Sequence, residues 1–309
     1  MLPEGNCLCG PTITNHCAED VAEEGSMGVW PTWRTQMLRL GGWPLVAILL
    51  CGSASMPLAE PVAAHHLEGT VHGYLMLKAE DGRVLAVGDL VEIVRADRVT
   101  AHTVFHFKDG SLDDETTLFS QRGTFHLISD HHIQKGPFFP HPVDLSIDTN
   151  SGEVTSKSTG KDGKEQVRTD HMKLPPDLYN GMIFPVTKNL RPSGAEETVA
   201  MVVATPKPRL IKLAISAKGE ENFSLAGFER KAQHYEIRIE LGGVAGAVAP
   251  LVGKQPANTQ VWIESGEVPA FVGEEGQLGE DCPIVRIEQT APGLPEAAHS
   301  SQPQARNGS

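Results

Sequence analysis

Twelve histidines follow residue 64, several of them close to carboxylates, and imidazole with carboxylate is the pairing used for metal binding and proton transfer. His102 and His106 are four residues apart, so an extended chain puts both on one face. At ~3.3 Å per residue they are about 13 Å apart, too far to hold one ion directly. His126 adds a third imidazole nearby, and Asp130-His131 offers two ligands without an identifiable third. His131 and His132 point to opposite faces of an extended chain. His65-His66 would suit copper or nickel. This spacing predicts solvent-facing or hydrogen-bonded strand histidines; no metal, no cofactor and no catalytic residue is expected.

The carboxylates Asp113-Asp114-Glu115 could do acid–base work only if one were buried with a raised pKa. Beside Asp109-Gly110-Ser111 they read instead as a polar hairpin tip. Asp177, Tyr179 and Asn180 form a more promising cluster, although the start of a helix accounts for Asp177. The stretch Gly246 to Gln255 suggests a phosphate loop only superficially. Six residues separate Gly246 from Gly253 where four are needed, and Lys254 is followed by Gln255 in place of a hydroxyl. No Gly-x-Ser-x-Gly elbow, His-Glu-x-x-His or dinucleotide fingerprint occurs.

Lys and Arg number 26 against 39 Asp and Glu in 309 residues, a net charge of −13. Such a chain repels phosphate backbones and anionic lipid, so no nucleic-acid partner is expected. The hydrophobic share of 40% suits a globular core.

The elements that must position these groups are strands. Alternating runs cover 70–78, 84–94, 99–107, 115–120, 124–134, 143–147, 153–157, 166–172, 198–204, 209–216, 231–241, 260–264 and 284–289. Asp81-Gly82, Asp109-Gly110, Ser151-Gly152 and Asp162-Gly163 separate several of them, as hairpin turns require. Strands in immediate succession with short turns imply a mainly β fold, a large curved antiparallel sheet forming a half-barrel or clam. Leu174 to Pro185 reads as its one short helix, Pro176 in the first turn and Pro185 at the stop. Gly242 to Gly253, uncharged over twelve residues, reads as an apolar loop.

Arg34 and Arg39 precede the apolar run Trp43 to Cys51, and small residues follow as far as Val62-Ala63-Ala64. This is the order of a secretory signal, and the run is too short to span a bilayer. Leu50 before Cys51 argues against lipid attachment. The expected organisation is an extension or mis-assigned start over 1–36, a signal peptide over 37–64, one β domain over 65–290 and a disordered tail over 291–309. Cleavage near Ala64 would leave a periplasmic or secreted chain with no membrane span, Cys282 as its sole thiol and Trp262 as its sole tryptophan.

His72-Gly-Tyr-Leu75, Phe105-His-Phe-Lys-Asp-Gly-Ser111, Leu174-Pro-Pro-Asp-Leu-Tyr-Asn-Gly181 and the run from Gly242 through Trp262-Ile263 to Pro269 resemble an uncharacterised family of secreted bacterial β-rich proteins. The resemblance spans about residues 66 to 290 and implies a periplasmic curved sheet, loosely similar to the β-clam of lipoprotein carriers. The expected function is non-enzymatic binding or carriage of a lipid or other amphipathic small molecule. Trp262, Tyr179, Phe184, Val248 and Leu251 are the candidate ligand-binding residues. A metal-dependent hydrolase using His and Asp within 102–132, or a structural envelope protein, are the alternatives.

Overall fold

Alternating apolar residues between tight turns fold into fourteen strands in a computed structural model that describes residues 60–159, 164–204, 207–225, 228–240 and 256–291. The first meander comprises β1 (Val71–Ala79), β2 (Val84–Arg95), β3 (Arg98–Phe107), β4 (Leu112–Ser120), β5 (His126–Lys135), β6 (Val143–Asp148), β7 (Glu153–Thr159) and β8 (Glu165–His171). Helix α1 (Ile183–Asn189) follows it. The second meander comprises β9 (Glu197–Val203), β10 (Arg209–Leu225), β11 (Phe228–Glu240), β12 (Thr259–Glu264), β13 (Phe271–Gln277) and β14 (Ile284–Thr290). All neighbours pair antiparallel, and β1 joins β14 with Leu77 opposite Ile287. The result is one curved, unclosed sheet whose edges are β8 and β9. The expected mainly β architecture with a single short helix is what the chain adopts.

The inner face carries the core. Leu75, Leu77, Val99, Phe119, Ile147, Val154, Ile215, Val261 and Ile287 are buried on it, where their removal from water supplies the main driving force for curling. The outer face is polar and laced with cross-strand ion pairs, such as Lys78 with Glu288 and Lys218 with Glu236. Such pairs extend β10 and β11 beyond the apolar stretches that mark them in the sequence.

Two elements differ from expectation. The helix begins at Ile183, close to where it was expected to end, so Pro185 lies in its first turn. Proline is tolerated there because the first helical N–H groups have no intrahelical acceptor. Residues 177–180 instead cover the edge of β9. Tyr179 N–H donates to Ala200 O at 3.0 Å, Ala200 N–H to Asp177 O at 2.9 Å, and the Asn180 amide exchanges two 2.9 Å bonds with the backbone of Val202. Covering an edge in this way prevents it from pairing with another chain. The second difference is β13, where alternation predicts nothing. Its glycines and glutamates lack an apolar period, and backbone pairing to β12 and β14 on either side holds it.

Residues 62–68 form a strap across the fold. Val62 N–H donates to Tyr179 Oη at 2.7 Å, Phe125 N–H to Val62 O at 2.9 Å and Ala64 N–H to Gly123 O at 3.0 Å. Asn189 Oδ1 accepts from the backbone N–H of both His65 and His66 at 2.7 Å. Glu68 ends the strap in an ion pair with Lys188 of α1. Next to it burial, and then the charge of Glu68, push the Glu92 carboxyl up to about 7, with Lys188 pulling the other way. Among the described residues no helix is long and apolar enough to cross a membrane.

Candidate functional site

The carboxylates expected at a hairpin tip lie inside the sheet. Strand β4 begins at Leu112, so Asp113 and Glu115 face inward and Asp114 faces outward. Opposite them, β5 turns Asp130, His132 and Gln134 to the same inner face. The register sets Asp113 against Gln134, Glu115 against His132 and Thr117 against Asp130. Three polar rungs thus replace the apolar pairs found elsewhere on this face. From the second meander, Glu274 of β13 adds a further carboxylate. Its register neighbours Val261 and Ile287 are buried core residues, which places it on the inner face as well.

His132 Nε2 donates to Asp113 Oδ1 at 2.8 Å, and its Nδ1 lies 3.7 Å from Glu115 Oε1. Gln134 Nε2 donates to Asp113 Oδ2 at 3.0 Å and to Leu278 O at 2.9 Å. Thr117 Oγ1 donates to Asp130 Oδ1 at 2.9 Å, while Asp130 Oδ2 is buried with no hydrogen-bond partner. Desolvation pulls the His132 pKa down, but Glu115, then Asp113, then Asp130 outweigh it and push it up to about 10. His132 is therefore an imidazolium at neutral pH, unable to ligate a metal or accept a proton. Burial, with the Glu115 charge behind it, raises Asp130 to about 8, and burial with the Asp113 charge raises Glu274 to about 7. Glu115 is raised by burial too, against the pull of His132. Although these groups sit deep in the fold, the His132 and Glu115 side chains each keep 24% of their surface accessible. Together they form a polar patch on the inner face.

The chain just before α1 packs against that patch. Gly181 adopts φ 66°, and a β-carbon there would stand 1.9 Å from Thr117 Oγ1 and 3.0 Å from Asp130 Oδ1. Only glycine satisfies both the left-handed backbone and the close approach. Gly181→Ala should therefore cost about 3 kcal/mol, measured by urea denaturation, through strain and overpacking together. Three residues on, Phe184 packs against Phe271 of β13 with ring centroids 4.2 Å apart, placing an aromatic wall near Glu274 in sequence and on the same strand.

The residues singled out from the sequence are distributed over both faces. Phe184 packs on Phe271 of β13, whereas Tyr179 is fully buried toward the strap, its hydroxyl held by Val62. Trp262 lies on the outer face, stacked on His234 at 4.9 Å beneath Arg286, with its indole N–H donating to Glu221. Val248 and Leu251 lie outside the described residues, as do the extension 1–36, most of the leader and the tail beyond 291. Asp130 and His131, weighed as two ligands, occupy opposite faces of β5 and do not converge. His102 and His106 share the outer face. There His72, His102 and His131 make diagonal pairs with Asp89, Asp114 and Asp144 at 2.8, 2.9 and 3.1 Å. Among the described residues no three His, Cys, Asp or Glu converge in a metal-binding arrangement. The inner rungs were legible in principle, since Asp113, Glu115 and Thr117 share an every-second-residue spacing with Asp130, His132 and Gln134. Nothing local signals Glu274.

No family model and no curated protein matches the chain. Among solved structures it is similar to the hypothetical lipoprotein YmcC from Escherichia coli K12, with a TM-score of 0.32 and 10% identity over 72% of this chain and 85% of that one. A similarity this slight carries no functional inference.

Proposed function

We propose that this domain is a non-enzymatic binding or carrier protein, exported to the periplasm or secreted, that takes an amphipathic small molecule on its inner face. The observation that carries this reading is the ionisable cluster of Asp113, Glu115, Asp130, His132 and Glu274 set into a largely apolar concave face. Burying ionisable groups opposes folding unless they are paired, and folding alone needs apolar rungs at these positions. A face that is apolar with one polar pocket matches a ligand with an apolar body and a polar end. Hydrolysis through His132 or Cys282 is disfavoured, because the neighbouring carboxylates raise His132 to about 10 and burial pushes the Cys282 thiol up, so neither is ready to act as base or nucleophile.

Native mass spectrometry of protein purified from its own host without detergent should show an added mass that is lost on denaturation. Adding back the extracted molecule should raise the melting temperature and leave Trp262 emission unchanged, because the indole is on the outer face. A protein-only mass, with no thermal shift across a panel of lipids, would refute the reading.

A further inference from the structure

We infer that the polar end of the ligand is a cation, a protonated amine, seated among Asp130, Glu115 and Glu274. This rests on the binding reading above and specifies its chemistry. Four carboxyl groups, Asp113, Glu115, Asp130 and Glu274, lie together on the inner face, and among the described residues His132 is the one cationic side chain that acts on them. Its imidazolium is engaged by Asp113 and Glu115. No Lys or Arg among the described residues pairs with any of the four. Asp130 Oδ2, on a residue only 2% exposed, has no donor at all. Among the described residues Glu274 makes no ion pair, and burial raises its carboxyl. Once Asp130 and Glu274 ionise, the site is therefore short of positive charge and of hydrogen-bond donors, in the same place.

An ammonium group supplies both, with three N–H donors on one compact charge. It tolerates looser convergence than a metal ion, which fits carboxylates that do not gather at coordination distance. At pH 8, where Glu274 is ionised and Asp130 is about half ionised, an anionic head would meet mostly acceptors and a negative field. The apolar body then leads away along Phe184 and Phe271.

The groups that set the pH response are Asp113 and Glu115 on β4, Asp130 and His132 on β5, Glu274 on β13 and Cys282 before β14. Seating the amine draws protons off Asp130 and Glu274, so binding should tighten from pH 6 to pH 8.5 and release protons to the buffer.

Calorimetric titration of the full exported chain, freed of endogenous ligand, with octylammonium, octanol and octanoate tests this. Octylammonium should saturate one site at pH 8 and bind at least about tenfold more tightly than either comparison molecule. Glu274→Gln, which alters no protein hydrogen bond, and Asp130→Asn should each weaken it about tenfold without weakening octanol. Octanoate or octanol binding as tightly, or octylammonium binding that ignores both substitutions, would overturn the cationic assignment while leaving a carrier standing. Failure of all three molecules to bind would overturn the carrier reading as well.

Discussion

At pH 9 the domain should melt well below its melting temperature at pH 5. Asp130 has its pKa raised to about 8 in the fold, against about 3.9 in an unfolded chain. Between those values the folded state holds a proton that the unfolded state has lost, so stability declines as pH rises from about 4 to 8. His132 acts in the same sense. Its stabilisation is complete below about 6.5, the value of an unfolded histidine, and is lost as pH rises through its folded value of about 10. Glu92 and Glu274, both raised to about 7, add smaller losses over the lower part of the window. With every large interior shift upward, the melting temperature should fall by on the order of 10 °C between pH 5 and pH 9. Asp130→Asn keeps the shape and cannot ionise, so it should flatten the profile and melt above the unsubstituted protein at pH 9. Calorimetry across pH checks both; a level profile would mean that the cluster is solvated well enough to titrate normally.

The second large effect concerns where the chain begins. A form starting at His65, which the proposed cleavage after Ala64 would produce, lacks Val62, Ala63 and Ala64. It loses the Val62 and Ala64 backbone bonds and the bridge between Ala63 and Thr124, and it strips Tyr179 Oη of its short donor. Net hydrogen bonds of about 1 kcal/mol each, plus the cost of leaving a buried hydroxyl with one long bond, amount to roughly 4 kcal/mol. A form starting at Glu60 should therefore melt about 10 °C above one starting at His65. N-terminal sequencing of the protein purified from its own host is the natural companion measurement. Equal melting temperatures for the two forms would show that the strap adds nothing.

Much of the fold is legible along the chain because hairpins are local. Asp81-Gly82 and Asp109-Gly110 supply the turn conformation between strands that are already neighbours, and alternation marks which strands are half-buried. The antiparallel meander, the single short helix and the separation of His131 from His132 all follow from such short-range facts. The helix is displaced because proline reads equally as a stop or as a first-turn residue, and packing of Val186 and Asn189 decides between them. Strand β13 is hidden because its pairing comes from the backbones of β12 and β14 and not from its own side chains.

What only the tertiary structure decided is the polar interior. Sequence alone determined that Asp113, Glu115 and Thr117 share one face of an extended chain, as do Asp130, His132 and Gln134. It offered no reason to turn those faces inward, since polar alternation ordinarily marks the solvent side. Their direction depends on the core residues that flank them along the same curved face, Val99, Phe105 and Phe119 among them. Their chemistry depends on Gly181 and Glu274, brought against or near them from distant parts of the chain. A carboxylate's pKa and its need for a partner are set by what packs opposite it in three dimensions, and that is information no neighbouring residue in the chain carries.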